Sequence, residues 1–401
     1  MQNSNQRILW LKVAGLAAIQ GAITLTWLIY NFYLKDLFVA FGLPIGLATG
    51  LLIAENAVET VIEPVAGSLS DRAKLWMGTR LPFISLGIIT ASVLFLAIPT
   101  VFIFGKIEPI LWLLPTVAFL WAMVMAMFRS PALSLLRQCA PKDKLPQAAS
   151  VLTIVGGLIG AWRFSAYNVI LNVGVVFAFG IGSFSLLLAA VALRFFFPAK
   201  QDKPRENSEN PDNLANLKRL IPTFILIFAT GMAVAWGIRF QMKTLSMLLA
   251  LQMGADRSSL GMVGFNLALA AIALPMGNFA TKIGNTRAMV VSLLTLCVCL
   301  PLITLIPDAA AFIFFLGFIV LSFSLLLNGV VPFALQCSPS SKAGVGIGMY
   351  FGGFGAAMSI FDLFMPKYGE LSATLNGTGA AIAFGLAMAC ILAVQAVADC
   401  E

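Results

Sequence analysis

The chain of 401 residues has the composition of an integral membrane protein. Its residues are 60% hydrophobic and only 10% charged, and its mean hydropathy is +0.95, which excludes a soluble globular protein of this length. The formal net charge is +8, but the basic residues are spread over many loops and form no single patch, so no nucleic-acid partner is expected. The chain has no histidine, which excludes histidine metal ligands and histidine proton relays.

Apolar runs of about 20 residues, the length that a helix needs to cross the hydrocarbon core of a bilayer, follow one another along the whole chain. Short polar loops separate them. We count about twelve runs and predict that each is a transmembrane helix. The predicted spans are 10–33, 43–69, 80–103, 109–138, 145–171, 174–197, 219–250, 257–281, 286–306, 309–335, 343–366 and 372–397.

The loops between these spans differ in charge. Basic residues such as Arg72, Arg80 and Lys144 lie in every second loop, whereas the alternate loops hold balanced or acidic residues, for example Lys35 beside Asp36. The positive-inside rule therefore places both termini in the cytoplasm. We predict a multi-pass protein of the plasma (inner) membrane.

Three carboxylates stand four residues apart in the second predicted span: Glu55, Glu59 and Glu63. Successive side chains at this spacing drift by only about 40°, so they form one stripe along the helix. Carboxylates inside a bilayer usually face a cavity and handle protons or ions. The stripe can carry protons as a coupled set; alternatively, Glu55, Glu59 and the Asn56 amide oxygen can bind sodium. Glu63 lies nearest the cytoplasmic end and can instead organise the loop that follows.

Three arginines and a tryptophan lie within later spans and can face the same cavity. Arg129 and Arg163 belong to the first half of the chain, and Trp236 shares a helical face with Arg239 in the second half. We predict that these four bind substrate or act as counter-ions, since arginine offers a fork of donors and tryptophan an apolar plate. The alternative is that the arginines only pair with the glutamates and lock the helices together. Asp362 is left open between an outer gate and a partner of Lys367.

The two halves of the chain repeat each other. The sequence from Pro131 to Gln138-Cys139-Ala140-Pro141 is echoed from Pro332 to Gln336-Cys337-Ser338-Pro339. Equivalent positions in both halves indicate a parallel repeat. We therefore predict an all-α membrane protein of two six-helix bundles. The predicted parts are an N-terminal bundle (1–197), a cytoplasmic linker (198–218) and a C-terminal bundle (219–401).

The second span runs into a motif that carries a family resemblance. From Glu63 to Ile84 the sequence is EPVAGSLSDRAKLWMGTRLPFI. It resembles the G-x-x-S-D-R-x5-G-x-R-x-P-F-I signature of the sucrose–proton symporters and the related glycoside-pentoside-hexuronide cation symporters. The two six-helix bundles with a cytoplasmic linker resemble the wider major facilitator superfamily. The resemblance implies transport by alternating access, with the acidic residues of the second helix binding the coupling cation.

We interpret the motif as a cytoplasmic gate. Gly67 permits close helix approach, and Asp71 can accept hydrogen bonds from a neighbouring helix N-terminus or from an arginine. Arg72 and Arg80 can clamp the other bundle. The resemblance implies that this clamp holds the outward-open state. The predicted gate residues are Gly67, Ser70, Asp71, Arg72, Gly78 and Arg80.

The sequence favours a secondary active transporter over an enzyme. It contains no Walker motif, so ATP is not the expected energy source. It also shows no nucleophile–base pairing and no metal-ligand spacing, so no catalytic residue, metal or cofactor is expected. Our first hypothesis is symport of a small hydrophilic solute such as a sugar or glycoside, coupled to protons or alternatively to sodium. The expected partners are that solute, the coupling ion and the lipid bilayer.

Two other functions remain open at this stage. One is a membrane assembly factor related to the light-harvesting and pigment-delivery branch of the superfamily, although the chain has no histidine that could ligate a pigment. The other is efflux of small organic molecules, for which a largely apolar cavity is expected, whereas the carboxylates and arginines indicate a charged one.

Overall fold

A computed structural model describes residues 7–104, 111–197 and 214–397, and every regular element in these ranges is a helix. The first half contains α1 (Trp10–Ala40), α2 (Ile45–Met77), α3 (Leu81–Phe104), α4 (Leu113–Ser134), α5 (Leu145–Ser165), α6 (Tyr167–Val173) and α7 (Val175–Phe196). The second half contains α8 (Leu214–Met253), α9 (Ser258–Ile283), α10 (Asn285–Ile303), α11 (Ala309–Gln336), α12 (Ala343–Phe364) and α13 (Ala373–Val397).

The number of membrane crossings agrees with the sequence. Within the described residues, 12 helical segments are long and apolar enough to cross a membrane, and each falls on one predicted span. The short helix α6 has 7 residues, too few for a crossing of its own. The all-α fold and the count of twelve spans are therefore confirmed.

The helix α2 extends further than its predicted span. It continues through the motif to Met77 and ends at Gly78, which adopts the left-handed conformation (φ +70°) that favours glycine at a helix end. The predicted end of the second span at residue 69 was therefore wrong, since only residues 78–80 separate α2 from α3. The predicted span stopped where the apolar residues stop, but a helix persists wherever its polar side chains find partners.

The predicted linker differs from the structure at one end. The helix α8 begins at Leu214, inside the segment 198–218 that was predicted as linker. The rest of that segment, 198–213, lies outside the described residues. A polar surface does not prevent a helix from extending beyond the bilayer, and hydropathy cannot detect such an extension.

Each half forms a bundle. In the first half α1 packs on α5 and α7, and α3 packs on α4 and α7; in the second half α8 packs on α12 and α13, and α10 packs on α11 and α13. The two largest interfaces between the bundles are those of α2 with α12 and of α5 with α9. We call these the α2–α12 seam and the α5–α9 seam.

The two seams run along most of the length of their helices. Further contacts between the bundles lie at one membrane side, which we call the motif side: the side where α2 ends and α12 begins. There α5 also contacts α11, and α4 contacts α12. We call the other membrane side the opposite side. Among the described residues, α1 and α8, the first helices of the two halves, share no comparable interface. The structure is therefore closed at the motif side.

Candidate functional site

The three glutamates of α2 lie buried on one face of the helix. The exposed fractions of Glu55, Glu59 and Glu63 are 2%, 5% and 0%. A helix with this stripe cannot turn it toward lipid, because a buried charge in hydrocarbon costs several kcal/mol, about 2.5 or more at the bilayer centre. The stripe faces α1, α4 and α12 instead, and α1 and α4 supply its polar partners.

Arg129 on α4 binds two of the three carboxylates. Its Nε donates to Glu63 Oε1 at 2.7 Å, and its terminal NH₂ group donates to Glu59 Oε2 at 3.1 Å. Glu63 also accepts a hydrogen bond from the hydroxyl of Ser130. The guanidinium lies 4.8 Å from the ring centroid of Phe351 on α12, so the same cation touches the second bundle. Arg129 thus has the predicted position of a counter-ion.

Glu55 has different surroundings. Its Oε1 accepts a hydrogen bond of 2.5 Å from the hydroxyl of Tyr30 on α1, while its Oε2 is buried without a hydrogen-bond partner. It forms no ion pair with any described residue. The ring of Tyr30 packs between Trp27 and Trp121, at centroid distances of 5.7 and 4.6 Å. Glu55 is therefore a carboxyl group against an aromatic cluster, with one neutral donor and no cation.

The amide of Asn56 is not directed at these carboxylates. Its Nδ2 donates to the carbonyl of Leu52, one turn back along α2, and the backbone carbonyl of Asn56 lies against Gly355 of α12. The described residues contain no group of three or more acidic or sulfur ligands that could hold a metal ion. The sodium alternative, which needs the Asn56 oxygen beside Glu55 and Glu59, gains no support from this geometry.

A central cavity of about 250 Å³ lies between the bundles. Its lining is largely apolar, and none of the stripe glutamates or predicted arginines belongs to it. The polar members are Gln20, Thr153, Asn266 and Tyr350. The Oε1 of Gln20 is buried and has no hydrogen-bond partner. The expectation of a charged central cavity was therefore wrong. The helices α2, α4 and α12 bury the glutamates and Arg129 between themselves.

The predicted cations of the second half lie nearer the opposite side. Arg239 on α8 binds Asp362 on α12, with 3.0 and 2.8 Å from its NH₂ group to the two carboxylate oxygens. Asp362 thus pairs with Arg239 and not with Lys367, whose amine lies over the ring of Phe364. The indole of Trp236 donates to the carbonyl of Ala357 at 2.8 Å. This tryptophan fixes α8 against α12 and has no free donor for a solute.

A second cavity, of about 330 Å³, adjoins this ion pair. Arg239, Lys243, Asp362 and Glu370 contribute its charged groups, and the ammonium of Lys243 lies 5.1 Å from the ring centroid of Phe361. Arg163 on α5, from the other bundle, lies close enough to Arg239 for their charges to interact. Arg163 is exposed and binds no acidic residue among those described.

Asp71 closes the motif side. It accepts backbone hydrogen bonds of 3.0 Å from Gly344 and from Val345, the first turn of α12. It also forms a buried ion pair with Arg80, which donates to Ser134 as well. A carboxylate at a helix N-terminus is stabilised by the unpaired N–H groups and by the helix dipole. Both partners expected from the sequence, a helix N-terminus and an arginine, are present.

Of the other motif residues, the small ones lie where α2 packs or ends, whereas the arginines do not reach the second bundle. Gly67 lies so close to the backbone of Gly344 that an added Cβ would overlap its carbonyl, which is the close helix approach predicted for it. Ser70 is buried and its hydroxyl has no partner, and Gly78 ends α2. Arg72 is exposed on α2 and makes no clamp to the other bundle. Arg80 acts within its own bundle, so the predicted arginine clamp was wrong for both residues.

Sequence reasoning missed three residues that complete these sites. Tyr30 and Ser130 are single hydroxyls in apolar helices, and nothing local marks them as partners of Glu55 and Glu63. Arg137 donates to the carbonyls of Leu335 and Ser338 at 3.2 and 3.0 Å, so a cation of the first bundle binds the C-terminal end of α11. Its position next to the repeated Gln-Cys sequence was an available signal.

Solved structures with the same fold include several transporters. The human organic anion transporter MFSD10 has 15% identity and a TM-score of 0.64, covering 96% of this chain and 100% of its own. A bacterial homologue of the iron transporter ferroportin, in an outward-facing state, has 15% identity and a TM-score of 0.69, covering 98% of each chain. The E. coli fucose:proton symporter FucP has 15% identity and a TM-score of 0.70, covering 97% and 99%.

These identities are low enough that the likeness concerns the fold alone. No curated protein matches the sequence, and the resemblance to the sucrose–proton symporters stays a prediction. The model of the Major Facilitator Superfamily, however, matches residues 16–362, most of the chain. Together with the two bundles of membrane-spanning helices, this match shows that the chain belongs to the major facilitator superfamily.

Proposed function

We propose that this member of the superfamily is a proton-coupled symporter of a small solute, with Glu55 as the group that binds the coupling proton. The observation that carries the proposal is that the three carboxylates differ in their polar partners. Glu59 and Glu63 share a cation, whereas Glu55 has only the hydroxyl of Tyr30. A single guanidinium can offset one carboxylate charge, so full ionisation of the stripe leaves an excess of buried negative charge.

Protonation of Glu55 removes part of that excess. A neutral carboxyl costs far less to enclose in a low-dielectric site than a carboxylate does. Closure of the bundles around α2 is thus easier when Glu55 is protonated. Arg129 contacts both the stripe and Phe351 of α12. A change of charge on α2 would therefore alter the interaction energy between the two bundles. This is how proton binding would favour one state of the transporter.

The closed motif side corresponds to the cytoplasmic side if the positive-inside prediction holds, and the structure then represents an outward-facing state. Asp71 is the proposed gate residue, because it joins α2 to the first turn of α12 in this state. Opening toward the cytoplasm requires these two hydrogen bonds to break. The ion pair with Arg80 stays within the first bundle, so Asp71 keeps one partner after opening.

A hydroxylated solute such as a sugar or glycoside is the proposed substrate class. Gln20, Thr153, Asn266 and Tyr350 place polar groups in the central cavity, and Gln20 Oε1 is an acceptor that lacks a donor. Phe351 contributes an aromatic face on which a sugar ring can pack. The neighbour named a fucose:proton symporter shares the fold, and this supports the same type of coupling here only as an analogy.

The test uses proteoliposomes that contain a pH-sensitive dye. The wild type and Glu55→Gln are challenged with sugars, glycosides and organic acids. We expect solute-dependent proton entry in the wild type and none in Glu55→Gln, which should still exchange labelled solute for unlabelled solute. Tyr30→Phe is a milder variant that keeps the carboxyl group and shifts the pH dependence of uptake.

Two results would contradict the proposal. Proton entry in Glu55→Gln equal to that of the wild type would remove Glu55 from the coupling path. Absence of solute-dependent proton or sodium movement for the whole panel, with the protein shown to be folded, would remove symport itself. The assembly-factor alternative would then return, although the neighbours named above are transporters.

Efflux is a second candidate, and the apolar lining of the central cavity supports it. An exporter that exchanges a proton for an apolar organic molecule would also use Glu55. The two directions differ in the same assay: symport moves the proton with the solute, whereas efflux moves it against the solute. Acidification of the compartment that the solute leaves would favour efflux.

A further inference from the structure

Arg163 is a cation of the membrane-spanning region that has no acidic partner among the described residues. Arg163 lies near the end of α5, and no described residue forms an ion pair or hydrogen bond with its guanidinium. Three other arginines have acidic partners: Arg80 pairs with Asp71, Arg129 with two glutamates and Arg239 with Asp362. An unpaired cation at membrane depth is costly, so such residues usually line the path of a substrate or an ion.

Arg163 has a cation of the other bundle in its surroundings. It lies within range of a charge interaction with Arg239, and their helices, α5 and α8, belong to different bundles. Like charges that face each other across an interface repel and keep the two surfaces apart. Acidic residues neutralise only one of the two charges: Asp362 binds Arg239, and Arg163 has no acidic partner among the described residues.

The pair lies at the rim of the central cavity, on the opposite side. Arg239 follows Ile238, which lines that cavity. Arg163 lies one turn beyond Gly160, which packs against Asn266 of the cavity lining. Arg239 also lines the second cavity, together with Lys243 and Asp362. The side chains of Arg239 and Asp362 are 32% and 29% exposed, so a solute can reach the guanidinium.

We propose that Arg163 and Arg239 together bind an anionic group of the transported solute, a carboxylate or a group of similar chemistry, and that this anion bridges the two bundles. The inference rests on the proposed transport function and changes its substrate class: the solute carries an acidic group, as a sugar acid does, and is not a neutral sugar or glycoside. The solute's body occupies the largely apolar central cavity, while its charge stays at the rim. Arginine suits this role, because its planar fork binds carboxylates through two parallel hydrogen bonds.

Anion binding also has a consequence for the transport cycle. Without an anion, repulsion between Arg163 and Arg239 opposes approach of α5 to α8 and holds the opposite side open. With an anion between them, each arginine is attracted to the same negative charge and the opposite side can close. Asp362 competes for Arg239, so it weakens binding of the solute and helps to release it.

The first experiment measures thermal unfolding of the purified protein with matched acid and neutral compounds: benzoate with benzamide, and gluconate with sorbitol. We expect at least one acid to raise the Tm of the wild type more than its neutral partner does. In Arg163→Gln the affinity for the acid should fall by about tenfold or more, as expected for loss of a charged hydrogen bond. Asp362→Asn, which frees Arg239, should bind the acid more tightly.

The control is Arg257→Gln. Arg257 is exposed at the start of α9, on the opposite side but away from the rim, so its loss changes the overall charge equally and should leave acid binding unchanged. Equal weakening in Arg163→Gln and Arg257→Gln would overturn the proposal. So would the absence of acid-selective stabilisation in the wild type up to tens of millimolar. Arg163 has no partner to lose, so Arg163→Gln should fold normally.

A second measurement needs no ligand. Spin labels at Val39→Cys and Leu251→Cys report the distance between the opposite-side ends of α1 and α8, both at exposed positions. We expect Arg163→Gln to shift the distance distribution toward shorter values, because it removes the repulsion. An unchanged distribution would overturn the proposed like-charge separation. Neither experiment involves a proton gradient, so failure of Glu55-dependent coupling and failure of the anion site are seen separately.

Discussion

The two seams between the bundles have similar geometry and different chemistry. In the α2–α12 seam, the small residues Gly67 and Gly344 bring the helices together, and Asp71 binds the first turn of α12. In the α5–α9 seam, Gly277 packs against Ser150 in the equivalent way. The repeat places Thr281 where the first half has Asp71, and its hydroxyl bonds to its own helix at the carbonyl of Gly277.

The difference shows where transport can be controlled. Only the α2–α12 seam, among the described residues, combines close helix packing with buried charge along its length, from Glu55 to Asp71. The α5–α9 seam relies on shape alone. A change of protonation therefore alters the free energy of one seam and leaves the other unchanged, so that the α5–α9 seam can serve as a passive contact during the cycle. The following variants test this comparison.

Removal of Arg129 should have the largest effect. Arg129→Gln leaves Glu59 and Glu63 buried without a cation, and breaking a buried pair costs about 3 to 5 kcal/mol. We expect a much lower Tm and a smaller yield of folded protein. Rescue is the decisive control: the additional changes Glu59→Gln and Glu63→Gln should restore much of the stability. If they do not, the ion pairs are not what Arg129 contributes.

Asp71→Asn and Thr281→Val change equivalent positions in the two seams. Asp71→Asn removes the charge from the N-terminus of α12 and leaves Arg80 unpaired, so uptake should fall by about tenfold or more, equivalent to about 1.4 kcal/mol in the gating equilibrium. Spin labels at Trp76→Cys and Ser340→Cys, both exposed on the motif side, should move apart.

Thr281→Val is expected to change uptake by less than twofold, because the hydroxyl bonds only within α9. A loss in Thr281→Val as large as that in Asp71→Asn would show that the α5–α9 seam also controls the cycle. Unchanged uptake and unchanged label distances in Asp71→Asn would remove the gating role of the motif.

Glycine substitutions sharpen the comparison of packing. Gly67→Ala places a Cβ against backbone atoms of Gly344, which cannot move aside, so we expect a loss of about 1 to 3 kcal/mol in the closed state. Gly157→Ala in α5, where the nearest atom is the Asn266 carbonyl oxygen at 3.0 Å, should cost less. Gly50→Ala, with no atom within 4 Å, is the control on α2 and should stabilise the helix slightly. Thermal unfolding measures all three, and equal effects would contradict the packing argument.

Among the variants that remove a contact between the bundles, Arg137→Gln should have the smallest effect. It removes two hydrogen bonds to the carbonyls of Leu335 and Ser338 at the end of α11, and water can replace part of this bonding because Arg137 is only partly buried. We expect two- to fivefold slower uptake with little change of Tm. Arg137→Lys keeps the charge and should recover part of the rate. An effect larger than that of Asp71→Asn would make Arg137 the principal gate.

Much of the candidate site could be predicted from the sequence, because the relevant signals are local. The four-residue spacing of Glu55, Glu59 and Glu63 fixes their common face without knowledge of any other helix. Asp71 was expected to bind a helix N-terminus or an arginine, and it binds both. The partners themselves could not be named, since α12 lies more than 270 residues away along the chain, and only the repeat in the sequence suggests which helices meet.

The sequence by itself determined the membrane setting and the twelve spans, because hydrophobic length and period act over one helix at a time. The prediction of two bundles rested instead on the internal repeat and the polar linker. Only the tertiary structure decided which carboxylate lacks a cation, which residue pairs with Asp362 and that the central cavity is largely apolar. These features depend on how each helix is oriented about its own axis relative to its neighbours. A rotation of one residue position, about 100°, moves a charge from a cavity into a helix interface, and hydropathy does not register that difference.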